Sequence, residues 1–136
     1  MKFNIPKIIR PLEMSEYDEA MEGLTLHVWI NPPRGIHSSY WKFQGELLKL
    51  SKELEALVEK KSTEKEIEKL NARIEAVNQE VFAWFSNIWS QGKDPETHVS
   101  IEDIEHFADE DPAIWGFVTS STMNMINEHQ AKQRKN

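Results

Sequence analysis

The stretch that decides the fold is YWKFQGELLKLSKELEALVEKKSTEKEIEKLNARIEAVNQEVFAWFSNIW, residues 40–89. Its apolar residues recur at alternating intervals of three and four, in two separate runs. The runs are Tyr40, Phe43, Leu47, Leu50, Leu54 and Leu57, and then Ile67, Leu70, Ile74, Val77, Val81, Trp84 and Ile88. Because this spacing places each run along one side of a helix, the stretch predicts two amphipathic helices.

The two helices are predicted to be separate and antiparallel. The positions that would continue the first run are charged: Lys61, Glu64 and Glu68. Thr63 and Glu66 form a T-x-x-E pattern, which is typical of a helix start. The runs are also mirror images about Ser62: six pairs of apolar positions, 57/67, 54/70, 50/74, 47/77, 43/81 and 40/84, lie opposite each other. These patterns predict an antiparallel hairpin over residues 38–90, closed within one chain.

A small β element is predicted before the hairpin, within residues 1–35. KIIRPL (7–12) is consistent with a short strand in which Pro11 occupies an edge or a strand end, because proline cannot donate to a ladder. SEYDEAMEG (15–23) predicts one or two helical turns that end at Gly23. LTLHVWIN (24–31) alternates as a half-buried strand does, with Trp29 on its polar face, and NPPRG (31–35) ends it.

Two further helices are predicted within residues 100–131. Ser100, followed three residues later by Asp103, is a cap for the first, and Asp111 before Pro112 is a cap for the second. QGKDPETHV (91–99) is predicted to be a loop, and AKQRKN (131–136) a frayed basic end. The fold class is therefore mainly α (α+β), with a small N-terminal β element, a long antiparallel helical hairpin and two C-terminal helices, in one domain of residues 1–136.

Composition narrows the classes of function. The net charge is −7, and between Lys93 and Lys132 there are nine acids and no Lys or Arg. We therefore expect no nucleic-acid binding, which requires a basic face. The chain has no cysteine, so disulfides and thiolate chemistry are excluded. No run is long and apolar enough for a signal peptide or a membrane helix, and we expect a cytoplasmic protein without membrane contact.

The segment DPETHVSIEDIEHFADEDP, residues 94–112, holds eight carboxylates and two histidines. Glu102 and His106 lie four apart on one helix face, as metal ligands can. A catalytic zinc site needs a third protein ligand, and His98 belongs to a different segment. Acids also gather at helix N-termini, where the dipole favours them, and two helices start here. We interpret the segment as helix capping and expect no enzyme, no metal and no cofactor.

Aromatic residues gather at the base of the hairpin. Five of the chain's large aromatics are candidates for partner binding: Trp29, Trp41, Phe82, Phe85 and Trp89. The alternative is that these rings form the core, as such clusters commonly do. The sequence leaves both interpretations open.

The order of elements resembles that of the tail assembly chaperones of long-tailed bacteriophages and prophages. The resemblance rests on IIRPLEMSEYDEAMEGLTLHVWINPP (8–33) and on VFAWFSNIWSQGKDPETHVSIEDIEHFADEDPAIWGFVTSSTMNMI (81–126). The hairpin-like insertion, residues 40–80, departs from the shorter members of that family.

The resemblance implies a non-enzymatic role in the cytoplasm of a bacterial host. Such chaperones bind the helical tape-measure protein, help to recruit tail-tube subunits and self-associate. Many are made in two lengths by a programmed ribosomal frameshift. The alternative that the sequence leaves open is a phage structural adaptor or connector, or another oligomeric helical interaction protein.

Overall fold

The computed structural model describes residues 5–89 and 99–135. Its strands are β1 (Ile9–Glu13) and β2 (Thr25–Trp29). Its α-helices are α1 (Arg34–Glu59), α2 (Glu64–Trp89), α3 (Ile101–Glu110) and α4 (Ala113–Lys135). The predicted fold class, mainly α with a small N-terminal β element, is confirmed. The predicted loop at 91–99 lies outside the described residues, apart from Val99.

Contacts divide the chain into two compact units. The terminal unit contains residues up to Pro32 and from Phe85 onward, and the hairpin unit contains Pro33–Trp84. Helix α2 belongs to both, because the division falls between Trp84 and Phe85. The prediction of a single domain over 1–136 stays a prediction.

In the terminal unit, β1 and β2 form an antiparallel pair in which Ile9 lies opposite Trp29 and Glu13 opposite Thr25. Two short 3-10 helices, Met14–Glu16 and Glu19–Met21, connect the strands. They confirm the one or two helical turns that the sequence predicted. Gly23 follows with φ of 90°, a conformation that glycine adopts at no steric cost.

Pro11 occupies a position in β1 where its missing N–H is not needed. The pairs Ile8–Ile30 and Met14–Leu24 are hydrogen-bonded, with N···O distances of 3.0 Å. Because hydrogen-bonded and non-hydrogen-bonded pairs alternate, Pro11 opposite His27 is a non-hydrogen-bonded pair. The backbone of Pro11 therefore faces the outer edge of the sheet, which agrees with the predicted edge strand.

The core of the terminal unit lies among β2, the last turn of α2, α3 and α4. Its fully buried apolar side chains include Leu26, Val28, Phe85, Ile88, Trp89, Ile104, Ile114, Val118 and Ile126. The predicted cap of α3 is confirmed as a capping box, with Ser100 Oγ accepting from the Asp103 amide and Asp103 from the Ser100 amide. Asp111 Oδ1 accepts from the Ala113 amide at 3.3 Å at the start of α4.

The prediction that residues 131–136 fray is wrong for 131–135, because α4 continues to Lys135. Positive side chains such as Lys132 and Arg134 are favourable in the last turns of a helix, where the dipole is negative. This basic end therefore extends the helix.

In the hairpin unit, α1 starts four residues earlier than predicted. Pro33 has extended backbone angles, φ −58° and ψ 156°, and precedes Arg34 as the N-cap. The carbonyl of Pro33 accepts from the His37 amide at 3.0 Å. The two prolines thus end the strand segment and place the chain directly at a helix start, so no separate loop is needed.

The predicted register of the hairpin is confirmed at its base. Tyr40 packs against Trp84 with ring centroids 5.0 Å apart, as the mirror about Ser62 requires. Trp84 Nε1 also donates to the Ile36 carbonyl at 2.7 Å. Farther along, Leu50, Leu70 and Val77 form the buried cluster, flanked by half-buried apolar residues of both runs.

The turn of the hairpin is a Schellman motif. The Ser62 amide donates to the Leu57 carbonyl at 3.0 Å, and the Lys61 amide donates to the Val58 carbonyl at 3.2 Å. Lys61 takes φ of 55°, where glycine is usual. Glu66 N then donates to Thr63 Oγ1 at 3.4 Å, which is the threonine half of the predicted T-x-x-E cap of α2.

Candidate functional site

The five predicted partner-binding aromatics do not share one kind of environment. Trp29, Phe85 and Trp89 are buried, with 6%, 1% and 1% of their surface exposed, and all three belong to the terminal unit. Phe82 is half-buried and Trp41 is 52% exposed, and both belong to the hairpin unit.

Phe85 and Trp89 serve the core of the terminal unit. Their rings lie 5.0 Å apart, and both meet the ring of Trp115, at 6.0 Å and 5.8 Å. Trp89 Nε1 donates to Thr122 Oγ1 at 3.0 Å, which satisfies both polar groups inside the core. The packing alternative therefore accounts for these two residues.

Trp29 is covered although it lies on the polar face of β2. The Nζ of Lys7 sits 4.4 Å from the centroid of its ring, a cation–π arrangement. Its Nε1 is buried and has no hydrogen-bond partner among the described residues. Lys7 lies 22 positions away in sequence, so strand alternation alone could not predict this cover.

Trp41 is the predicted aromatic that remains available to a partner. Its ring meets Tyr40 edge-on at 5.2 Å and His37 at 6.4 Å, so neighbours on the same helix hold it in place. Leu48 and Val58 of α1 are also exposed, at 60% and 58%. Sequence reasoning missed these two, although both fall one residue after a position of the first apolar run.

An open groove runs between α1 and α2 near the turn of the hairpin. Its volume is about 530 Å³ and its lining is mainly apolar, with Ala56, Leu57 and Leu70 as the apolar lining residues. Charged side chains of both signs form the rim: Glu53, Glu66, Lys69 and Arg73. Nη1 of Arg73 and Oε2 of Glu53 lie 3.8 Å apart across the groove. Both side chains are solvent-exposed, so this ion pair contributes little to stability.

A groove of this kind can accept apolar side chains from one face of a helix. Partner helices commonly bind such grooves through apolar side chains spaced three and four residues apart, while charges at the rim select the partner. The sequence signal for it is indirect, because Ala56 and Lys69 belong to neither apolar run.

A second cleft, of about 590 Å³, lies in the terminal unit beside β1. Ile8, Ile30 and Met125 contribute apolar surface, whereas Arg10, His129 and Lys132 contribute basic groups next to Glu128. Its mixed lining distinguishes it from the apolar groove of the hairpin unit. Sequence reasoning did not select it, because its residues come from both ends of the chain.

Two carboxylates of the acid-rich segment cap helix starts, Asp103 for α3 and Asp111 for α4. Glu102 and His106 are both exposed on α3, and His98 lies outside the described residues. Within residues 5–89 and 99–135, no three His, Asp or Glu side chains come close enough to hold a metal ion. Tyr17 donates to Asp111 Oδ2, and this hydrogen bond is the main cause that raises the pKa of Tyr17.

Among the described residues, no helix combines the length and the apolar character needed to cross a bilayer. Comparison with models of known families, with curated proteins and with solved structures finds no match for this chain. The resemblance noted in the sequence therefore has no independent counterpart.

Proposed function

We propose that this chain is a non-enzymatic protein-binding module of the tail-assembly-chaperone kind. In this role it binds the helical tape-measure protein, keeps it in solution and helps to recruit tail-tube subunits. The observation that carries the proposal is the apolar groove between α1 and α2, with its rim of mixed charge. The order of elements, which resembles that family, supports the same role.

The physical basis is the chemistry of an amphipathic partner. A long helical protein exposes an apolar stripe until it assembles, and exposed apolar patches lead to aggregation. A groove lined by Ala56, Leu57 and Leu70 can cover part of such a stripe. The acidic surface of the chain, with a net charge of −7, favours partner segments that carry basic residues beside the stripe.

The first test of the family role is genetic. The gene is expressed together with the DNA downstream of it, and products sharing this N-terminus are identified by mass spectrometry. A minor longer product supports a chaperone made in two lengths. If only one product appears and the purified chain forms a closed ring by itself, the structural adaptor is favoured instead.

The second test addresses the groove. The tape-measure protein of the same phage or prophage is co-expressed with the chain, and its soluble fraction and co-purification are measured. Ala56→Glu places a carboxylate in the groove lining, where a bound apolar side chain would have to desolvate it, so we expect the co-purified amount to fall by about tenfold or more. Ala72→Glu, on an exposed site of α2 outside the groove, is the matched control. Equal binding by the original chain, Ala56→Glu and Ala72→Glu would contradict a binding role for the groove.

A further inference from the structure

A line of four exposed residues runs along α1 at intervals of seven: Arg34, Trp41, Leu48 and Glu55. Residues seven apart lie on nearly the same side of a helix, two turns from each other. All four are exposed, and the two apolar members are 52% and 60% exposed. We call this set the outer line of α1. It is distinct from the groove and from the run that faces α2.

The outer lines of two copies of α1 are complementary when the two helices run antiparallel. Two copies of α1 placed antiparallel, with their midpoint between Gln44 and Gly45, bring Trp41 of each opposite Leu48 of the other. The same alignment brings each Arg34 opposite the other copy's Glu55. This reciprocity is what a two-fold symmetric contact requires, since the same patch must serve both subunits.

Gly45 lies at the midpoint of this alignment. A Cβ added there meets no atom within 4 Å, so neither the packing of this chain nor a positive φ demands a glycine at that position. Glycine inside a helix lowers helix stability. A residue without a side chain does allow a second helix to approach the backbone closely.

Trp41 is already positioned for such a contact. Its ring meets Tyr40 and His37 on α1, so less side-chain freedom is lost when a partner covers it. Trp residues held in this way are typical centres of protein interfaces.

We propose that α1 is a self-association surface, and that a second copy of this chain docks antiparallel on the outer line, with Trp41 packed on the partner copy's Leu48. Two Arg–Glu pairs, one at each end, fix the register. This inference rests only on the residues of α1 and does not require the tail-assembly role, so either can fail without the other.

The decisive experiment is a charge swap followed by sedimentation equilibrium of the full chain. Arg34→Glu and Glu55→Arg each place two like-charged pairs in the symmetric dimer, and we expect each to weaken it about tenfold. The double variant restores the pairs in reversed order and should recover affinity to within about threefold of the original. Lys42→Glu and Glu68→Arg make the same charge changes off the outer line and should leave the dimer unchanged.

A cross-linking test checks the register independently. The chain has no cysteine, so Gln44→Cys introduces a single thiol beside the proposed midpoint and keeps Gly45. A short bismaleimide should link two Gln44→Cys chains efficiently, whereas Ala72→Cys on α2 should remain unlinked. Circular dichroism confirms that every variant keeps its helices.

Three results overturn the proposal. The first is a chain that stays monomeric at all concentrations. The second is a dimer whose affinity the single swaps do not change. The third is a double swap that binds as weakly as the singles, which excludes the antiparallel Arg34–Glu55 pairing.

Discussion

Two buried tryptophans, Trp29 and Trp89, show how one polar atom determines how much stability a substitution removes. Trp29 and Trp89 are both buried in the terminal unit. The indole N–H of Trp89 donates to Thr122, whereas that of Trp29 has no partner among the described residues. A buried donor or acceptor that has no partner lowers the free energy of unfolding by more than a formed hydrogen bond raises it. The two residues should therefore respond differently to the same change.

Trp→Phe at both positions measures this difference. Each substitution removes similar ring volume, but Trp89→Phe also leaves the hydroxyl of Thr122 without its donor. We expect Trp89→Phe to lower the free energy of unfolding by at least about 1 kcal/mol more than Trp29→Phe does. Urea unfolding followed by circular dichroism gives both values. Equal losses would show that the Trp89–Thr122 bond is not formed in solution.

The two tyrosines predict how stability changes at alkaline pH. The hydrogen bond to Asp111 raises the pKa of Tyr17, and burial raises the pKa of Tyr40. A raised pKa means that folding favours the neutral phenol. This contribution is complete below the ordinary value of 10.0 and is lost as pH rises through the folded pKa.

Phenolate absorbance, recorded against pH in buffer and in urea, tests this expectation. We expect both tyrosines to titrate at higher pH in the folded chain than in the unfolded one. Tyr17→Phe should leave one transition and reduce the loss of stability above pH 10. A folded Tyr17 that titrates at its ordinary value would contradict the contact with Asp111.

Among the secondary structure elements, the hairpin was the most predictable and its ends were the least. The 3-4 spacing of apolar residues depends only on helix geometry, so the pairing of Tyr40 with Trp84 could be predicted from the sequence. The start of α1 at Arg34 could not, because Pro33 can precede either a loop or a helix. The conformation of Pro33 is fixed by the strand before it and the helix after it.

The candidate site was less predictable than the fold. The exposure of Trp41 and the burial of Trp29 depend on contacts that periodicity does not contain. Lys7 covers Trp29 from a distant part of the chain, and no local pattern signals it. The groove likewise depends on how two helices separate near their turn, where Ala56 of α1 lines the same space as Lys69 of α2.

The turn between α1 and α2 carries backbone strain that one substitution can relieve. Lys61 holds φ of 55°, which is unfavourable for any residue with a Cβ. We expect Lys61→Gly to raise the free energy of unfolding by about 1 kcal/mol. Thermal and urea unfolding measure the change.

Lys60→Gly is the matched control at the adjacent position. Lys60 has φ of −81°, so glycine gains nothing there and adds freedom to the unfolded chain. We expect a loss of about 0.5–1 kcal/mol. Stabilisation by both variants, or by neither, would contradict the Schellman geometry at Ser62.

Across the chain as a whole, burial is distributed unevenly. The buried apolar side chains of the hairpin unit are Leu50, Leu70, Val77, Val81 and Trp84. The terminal unit contains most of the fully buried residues, including Phe85, Ile88, Ile114 and Ile126. Segments with few buried contacts open at lower free energy than segments in a dense core.

Amide hydrogen exchange should show this difference directly. We expect amides of residues 50–75 to exchange faster than those of residues 114–126 in α4, by about tenfold or more. The measurement is made by mass spectrometry at a concentration low enough to keep the chain monomeric. Uniform protection along both units would indicate that the chain opens only as one cooperative body.

Pro11 has a consequence for how copies of this chain can meet at high concentration. An unpaired strand edge is a template onto which another molecule can add its own strand, and repeated addition leads to fibres. Pro11 removes a donor from the middle of the outer edge of β1, and on the other side of the sheet the Thr25 carbonyl already accepts from the Val99 amide at 2.8 Å. Both edges thus resist cross-β growth, so crowded copies can gather through helices without polymerising through strands.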